Sequence, residues 1–197
     1  MRQEYDKYND EDLQVWQTLF KRQKQCLQEK ASDVYLSCLD EMKSALNENE
    51  IPDFRKMNEV LSAKHGWTLE VVPGMIPVGE FFNLLAKKKF CSSTWLRKMS
   101  ELDYLEEPDM FHDIFGHTPL LMNEDFSKFA QRIGEIGSKN SDNQEVLDEL
   151  QRIYWFTIEF GVIQEEDKVK CYGAGIMSSF GEVNHIYEDD ILSLIHI

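Results

Sequence analysis

EEPDMFHDIFGHTPLL, residues 106–121, places His112 and His117 five positions apart in a run that is otherwise mostly apolar. The whole chain has only five histidines, so a pair here calls for a reason. One histidine in an apolar helix is ordinarily a core residue hydrogen-bonded to a carbonyl. Two raise the alternative of a metal site. On an α-helix, residues five apart are rotated by about 140° and do not share a face. To hold one ion, the helix must end or distort between them or just after, and Gly116 and Pro119 stand where that can happen. The spacing is not that of HExxH, where i and i+4 project together and a glutamate acts as base, so a zinc protease is disfavoured.

A third ligand should be a carboxylate whose burial is otherwise costly. Glu159 is the only charged residue of the run YWFTIEFGVI. An ionised carboxylate there needs a cation or metal beside it, unless it lies at a helix end and reaches water. Two imidazoles and one carboxylate leave open coordination positions and suit non-haem Fe(II). Asp109 and Asp113, three residues before His112 and four before His117, are candidates to orient an imidazole through its second nitrogen. Ordinary solvated charge is the competing reading for both.

Outward from this stretch the pattern is mainly helical. Two helices are expected between Glu11 and Leu46. Val34, Tyr35, Cys38, Leu39, Met42 and Leu46 form the apolar face of the second, and Ser32 or Asp33 caps it. Another runs from near Pro52 to a stop at Gly66. TLEVVPG reads as a short strand closed by Pro73-Gly74. GEFFNLLAKKKF reads as helix, its Lys87-Lys88-Lys89 run being a solvated helix end. SDNQEVLDELQRIYWFTIEFGVI, residues 141–163, reads as a long apolar-faced helix starting at Ser141, with Gln144 completing a capping pattern. KVKCYGAGIMSSFGE, with three glycines, reads as a hairpin or irregular ribbon.

At 197 residues, with 42% apolar content, the chain is expected to be one globular domain. Its net charge of −15 argues against nucleic acid or an anionic membrane as partner. Four cysteines without CxxC spacing fit free thiols in a reducing cytoplasm. The charged N-terminus has no signal-like apolar segment, and no apolar run is long enough to cross a bilayer.

PDMFHDIFGHTPLL, IYWFTIEFG and YGAGIMSSFGE, in this order, closely resemble the pterin-dependent aromatic amino acid hydroxylases, and most of all the compact bacterial phenylalanine 4-hydroxylases. The resemblance runs from about Tyr5 to about Glu182. It implies an α+β fold, mainly α: a helical, bowl-like catalytic domain with a small β-ribbon, here short at its C-terminus. It implies that His112, His117 and Glu159 bind iron. Arg97 matches the arginine that pairs with the amino acid carboxylate, a task suited to a bidentate guanidinium. Ser178 matches a residue near the bound amino acid, with Gly175 in the adjoining loop, and Trp155 and Phe160 match pocket walls. PGMIPVGEFF resembles the pterin segment, with Phe81 stacking on the ring and Gly74, Met75 and Ile76 giving backbone contacts. Asp113 stands where the family often has Glu, facing the pterin through water. The implied activity is a monooxygenase using Fe(II), a tetrahydropterin and O₂ to convert L-phenylalanine to L-tyrosine, in a cytoplasmic monomer. Tryptophan or tyrosine as substrate, or a truncated amino acid- or pterin-binding paralogue without catalysis, are the alternatives. Beyond Glu182 the family pattern fades; residues 183–197 are the uncertain part of the domain, and 192–197 show no family pattern.

Overall fold

The structure, a computed structural model, describes residues 1–103, 105 and 107–187; the expectation about 192–197 falls outside them. Helix α1 (Asp10–Leu27) begins at a reciprocal cap, in which the Asn9 side chain accepts from the Glu11 and Asp12 amides while Asp12 accepts from the Asn9 amide. Its buried stripe is Val15, Trp16, Leu19, Phe20, Gln23 and Leu27. Helix α2 (Asp33–Glu41) is capped by Ser32, whose hydroxyl accepts from the Tyr35 amide. Tyr35, Cys38, Leu39, Met42 and Leu46 are buried as expected. Val34 is not: it is 44% exposed and borders a shallow surface groove with Phe129 and Ile163. Helix α3 (Phe54–His65) runs from an Asp53 cap to Gly66, whose φ of 77° is the left-handed conformation a side chain resists.

Strand β1 (Thr68–Val71), helix α4 (Val78–Ala86) and strand β2 (Lys89–Ser92) form a crossover, with the strands paired in parallel from Thr68↔Lys89 to Val71↔Ser92. This corrects the expected helix through Phe90. The chain leaves α4 at Ala86, turns at Lys88 with φ 55°, and buries Phe90 from a strand. The lysine run is therefore not one helix end: Lys88 donates to the His65 carbonyl and Lys89 pairs with Glu70 across the strands.

Residues His112–His117 form a π-helical turn, followed by a 3₁₀ turn at Pro119–Met122. Helix α5 (Glu124–Lys139) packs on α4 through Gly134 and Gly137, where an added Cβ would lie 2.3 Å from the Ala86 nitrogen and 2.4 Å from Phe82 Cγ. Helix α6 (Gln144–Tyr154) is capped by Asn143, not Ser141, because the Asn143 side chain is the one that accepts from the Val146 amide. It runs into a second π-helical turn at Trp155–Glu159. Strands β3 (Val162–Glu165) and β4 (Lys168–Cys171) make a hairpin, antiparallel from Val162↔Cys171 to Glu165↔Lys168. Only β4 falls in the stretch expected to form one, and β3 takes Val162 and Ile163 from the expected long helix, which ends instead in the π turn. The ribbon stops at Cys171. The glycine-bearing remainder is helical instead, as α7 (Ala174–Met177) and α8 (Phe180–His185), because Gly173 and Gly175 let the chain press onto Glu159 and Gly161.

An aromatic cluster ties α1 to the first π turn. Trp16 meets Phe111 at 5.4 Å between ring centroids, Phe20 meets Phe115 at 5.1 Å, and Phe111 stacks on Phe115 at 4.8 Å. Each buried ring contributes about 1.5–3 kcal/mol of transfer free energy. The apolar side of the turn is thus clamped to α1, and its histidines are left to face the other way.

Candidate metal centre and its cavity

A π turn closes i→i+5 hydrogen bonds, so it stacks residues five apart on one face where an α-helix would separate them. That is how His112 and His117 come together: their Nε2 atoms are 3.1 Å apart. The second π turn ends on Glu159. Its Oε1 lies 3.4 Å from His112 Nε2 and its Oε2 3.2 Å from His117 Nε2. Among the described residues, these three form a group whose ligand atoms all lie within 4.8 Å of one another. Such an N₂O donor set fits a divalent first-row metal with open coordination sites.

The surroundings fix the protonation pattern. Ser178 donates its hydroxyl to the Ala174 carbonyl at 2.8 Å, so toward His112 Nδ1, 2.9 Å away, it can only accept. The His112 proton therefore sits on Nδ1, and Nε2 offers its lone pair to the centre. Burial lowers the His112 pKa to about 4, keeping the ring neutral. Burial acts to raise the Glu159 carboxyl, but the two imidazoles beside it outweigh that, and its pKa ends below the usual range. His117 packs against the Phe90 ring at 4.8 Å, with Tyr154 Oη 3.4 Å from its Nδ1.

The aspartates have other partners than the imidazoles. Asp109, fully buried, takes the Arg97 guanidinium in a two-pronged pair, Nε to Oδ2 and Nη2 to Oδ1 at 2.9 Å each, and also accepts from the His112 amide. Neither its carboxylate nor that of Asp113 holds an imidazole nitrogen; Ser178 has that place at His112. Asp113 accepts from the Ser93 amide at 2.8 Å, and burial pushes its pKa up to about 7. Arg97 is accordingly not a free guanidinium. Its bidentate face is turned to Asp109, and its Nη1 reaches the Leu102 carbonyl.

The three donors open into a cavity of about 380 Å³. Gly74, Met75, Ile76, Phe81, Asp113 and Trp155 line it with them. Trp155 is 55% exposed and packs on Phe160 at 4.6 Å, with Phe160 outside the lining. Gly175 faces Glu159 directly: a Cβ there would lie 2.7 Å from Oε1. Tyr154, Phe90, Cys91, Ser93 and Gln151 also line the space and carry no role in the sequence reading. Tyr154 left a signal, since it stands five residues before Glu159 as His112 does before His117.

Residues 4–194 match the model of the biopterin-dependent aromatic amino acid hydroxylases. This chain belongs to that family. The match extends past Glu182, where the family pattern was expected to fade, and takes in 192–194. The phenylalanine-4-hydroxylase of Chromobacterium violaceum is 42% identical over 180 residues, 91% of this chain and 60% of that protein. That of Pseudomonas aeruginosa is 40% identical, over 94% of this chain and 69% of the relative. The crystal structure of the C. violaceum enzyme with bound iron(III) and oxidised 7,8-dihydrobiopterin superposes with a TM-score of 0.89 at 42% identity, covering 95% of this chain and 66% of that one. The chain spans about 60% of the length of the first of these hydroxylases.

Proposed function

We propose that this family member is a non-haem Fe(II), tetrahydropterin-dependent monooxygenase that hydroxylates L-phenylalanine to L-tyrosine with O₂. The observation that carries the reading is the convergence of His112, His117 and Glu159 in a cavity that Gly74, Met75, Ile76 and Phe81 also line. The relatives' names and the iron- and dihydrobiopterin-bound C. violaceum structure support it. Iron and a tetrahydropterin, when bound, would supply the activated oxygen for attack on the aromatic ring.

The chain's own residues bind, orient and exclude water. The two imidazoles and the carboxylate would hold the metal, with Ser178 keeping His112 in the tautomer that offers Nε2. Phe81, edge-on to Tyr154 at 5.1 Å, gives the pterin a ring to stack on. The backbone of Gly74, Met75 and Ile76 would supply its polar contacts, and Asp113, which lines the same cavity, would face it. Trp155 and Phe160 would enclose the aromatic side chain of the substrate. Arg97 would offer the substrate carboxylate the N–H groups not taken by Asp109, which holds it in place. Residues 1–197 would act as one catalytic unit, a cytoplasmic monomer. The absence of a membrane-spanning helix among the described residues is compatible with that, and the charge of −15 supports the exclusion of nucleic acid.

The test is anaerobic Fe(II) loading and desalting of the wild type and Glu159→Ala, followed by product analysis with phenylalanine, tryptophan and tyrosine supplied in turn. Iron retention and tyrosine formation from phenylalanine, both lost in Glu159→Ala, are expected. Retained activity in the variant overturns the ligand assignment. Hydroxytryptophan or dihydroxyphenylalanine as main product reassigns the substrate. Ligand binding without oxygen uptake identifies a non-catalytic paralogue.

A further inference from the structure

The Phe115 carbonyl lies inside the first π turn, on a fully buried residue. In a continuing α-helix it would accept from the amide four residues on, but residue 119 is proline and has none. A buried carbonyl left without a donor costs about 1–3 kcal/mol. The donor comes from another element: the hydroxyl of Tyr35, on α2, meets the Phe115 oxygen at 2.6 Å. Tyr35 is itself fully buried, with its ring 6.2 Å from that of Phe115. Helix α2 is fixed in turn by the Ser32 amide, which donates to the Cys171 carbonyl at 2.8 Å. From Cys171 the chain runs into α7, where Ala174 backs Gly116 and which ends at Ser178, beside His112.

We propose that Tyr35 is a positioning residue of the metal centre. Its hydroxyl satisfies the carbonyl without the α-helical i→i+4 bond that an amide at 119 would make, and so holds the π-helical phase that aims His112 and His117 at one point. The bland alternative is a hydrogen bond that stabilises the fold and nothing more, and the two differ in what metal binding does. The inference rests on the metal-site reading above, so the test must let each fail separately.

Cobalt, bound in one crystal structure of the C. violaceum relative, is the probe, used as Co(II). Its visible absorption reports both affinity and ligand geometry, without turnover. The full chain, Tyr35→Phe and the control Tyr5→Phe are titrated with Co(II), with urea unfolding run in parallel. Tyr5 donates to the Ile51 carbonyl at 2.7 Å, so the control deletes the same kind of bond at a carbonyl outside both π turns. Tyr35→Phe should weaken Co(II) binding by about tenfold or more, as other outer-sphere losses do, and change its spectrum. Tyr5→Phe should do neither. Equal Co(II) affinity in the two folded variants overturns the proposal, and a wild type that binds no Co(II) overturns the metal-site reading instead. If Tyr35→Phe does not fold, the double variant Tyr35→Phe/Pro119→Ala restores an amide for the carbonyl. It should fold and still bind Co(II) weakly. Wild-type affinity in the double variant, or its failure to fold, makes the hydroxyl a folding requirement only and overturns the proposal.

Discussion

Gly175 shows how little space the centre leaves. Nothing in its backbone conformation demands glycine, so the constraint is contact alone: a Cβ there would lie 2.7 Å from Glu159 Oε1 and 3.0 Å from Phe160 Cζ. Gly175→Ala should therefore displace the carboxylate rather than unfold the chain. Metal affinity should fall by about tenfold or more, while global stability falls by only about 1–3 kcal/mol, the usual cost of overpacking. Metal titration alongside urea unfolding checks this, and a variant with unchanged affinity would show that the carboxylate has room to move. At this scale the three residues that converge could be picked out from the sequence as candidate ligands, Glu159 because it is the sole charge in an apolar run. The partnership of Arg97 with Asp109 could not, because it joins a loop to the start of the π turn and neither residue's neighbours in sequence point to the other. The same holds for Ser178 at His112, for which the sequence offered two aspartates at helical spacing.

Helices α4 and α5 meet through glycines, and this contact sets where Phe81 stands, since α4 carries it. Two glycines inside a helix each cost about 1 kcal/mol relative to alanine, so Gly134 and Gly137 are there for the approach of α4. Gly134→Ala, whose Cβ would fall 2.3 Å from the Ala86 nitrogen, should lose about 1–3 kcal/mol despite its better helix propensity. It should also weaken binding of a tetrahydropterin through the shifted Phe81. Urea midpoints and a pterin titration measure the two effects, and a stabilised variant would mean that α4 gives way freely. The helices α1, α2, α3 and α5 have strong caps or long apolar stripes. The first three were readable for that reason; α5 was not read, nor was its approach to α4. Strand β2 was misread because KKKF continues the composition of α4, and only pairing with β1 makes it a strand. Both π turns were beyond an argument from period, which could say that an α-helix fails for His112 and His117 but not what replaces it.

Across the whole molecule, burial of phenols links folding to alkaline pH. Burial raises the pKa of Tyr35 well above its ordinary value and that of Tyr8 to about 12. Below about pH 10 both the folded and unfolded chains keep these protons. Above it the unfolded chain releases them first, so stability falls as pH rises, by at most about 1.4 kcal/mol per pH unit for each group. Urea midpoints taken on either side of pH 10 should show this decline, and Tyr8→Phe should make it shallower. An unchanged slope in that variant would mean that Tyr8 ionises in the folded chain. The turns described above also bear on how such a chain tolerates change in its gene. Because His112 and His117 share a face only by virtue of the π-helical spacing, the number of residues between them acts as a reading frame for the ligands. Substitutions at 113–116 alter packing, whereas loss of a single codon there would leave the two histidines four apart, a spacing at which an ordinary α-turn sets them within about 40° of each other. Gain of one residue would set them about 120° apart on an α-helix, so the pair is guarded more strictly against lengthening than against shortening.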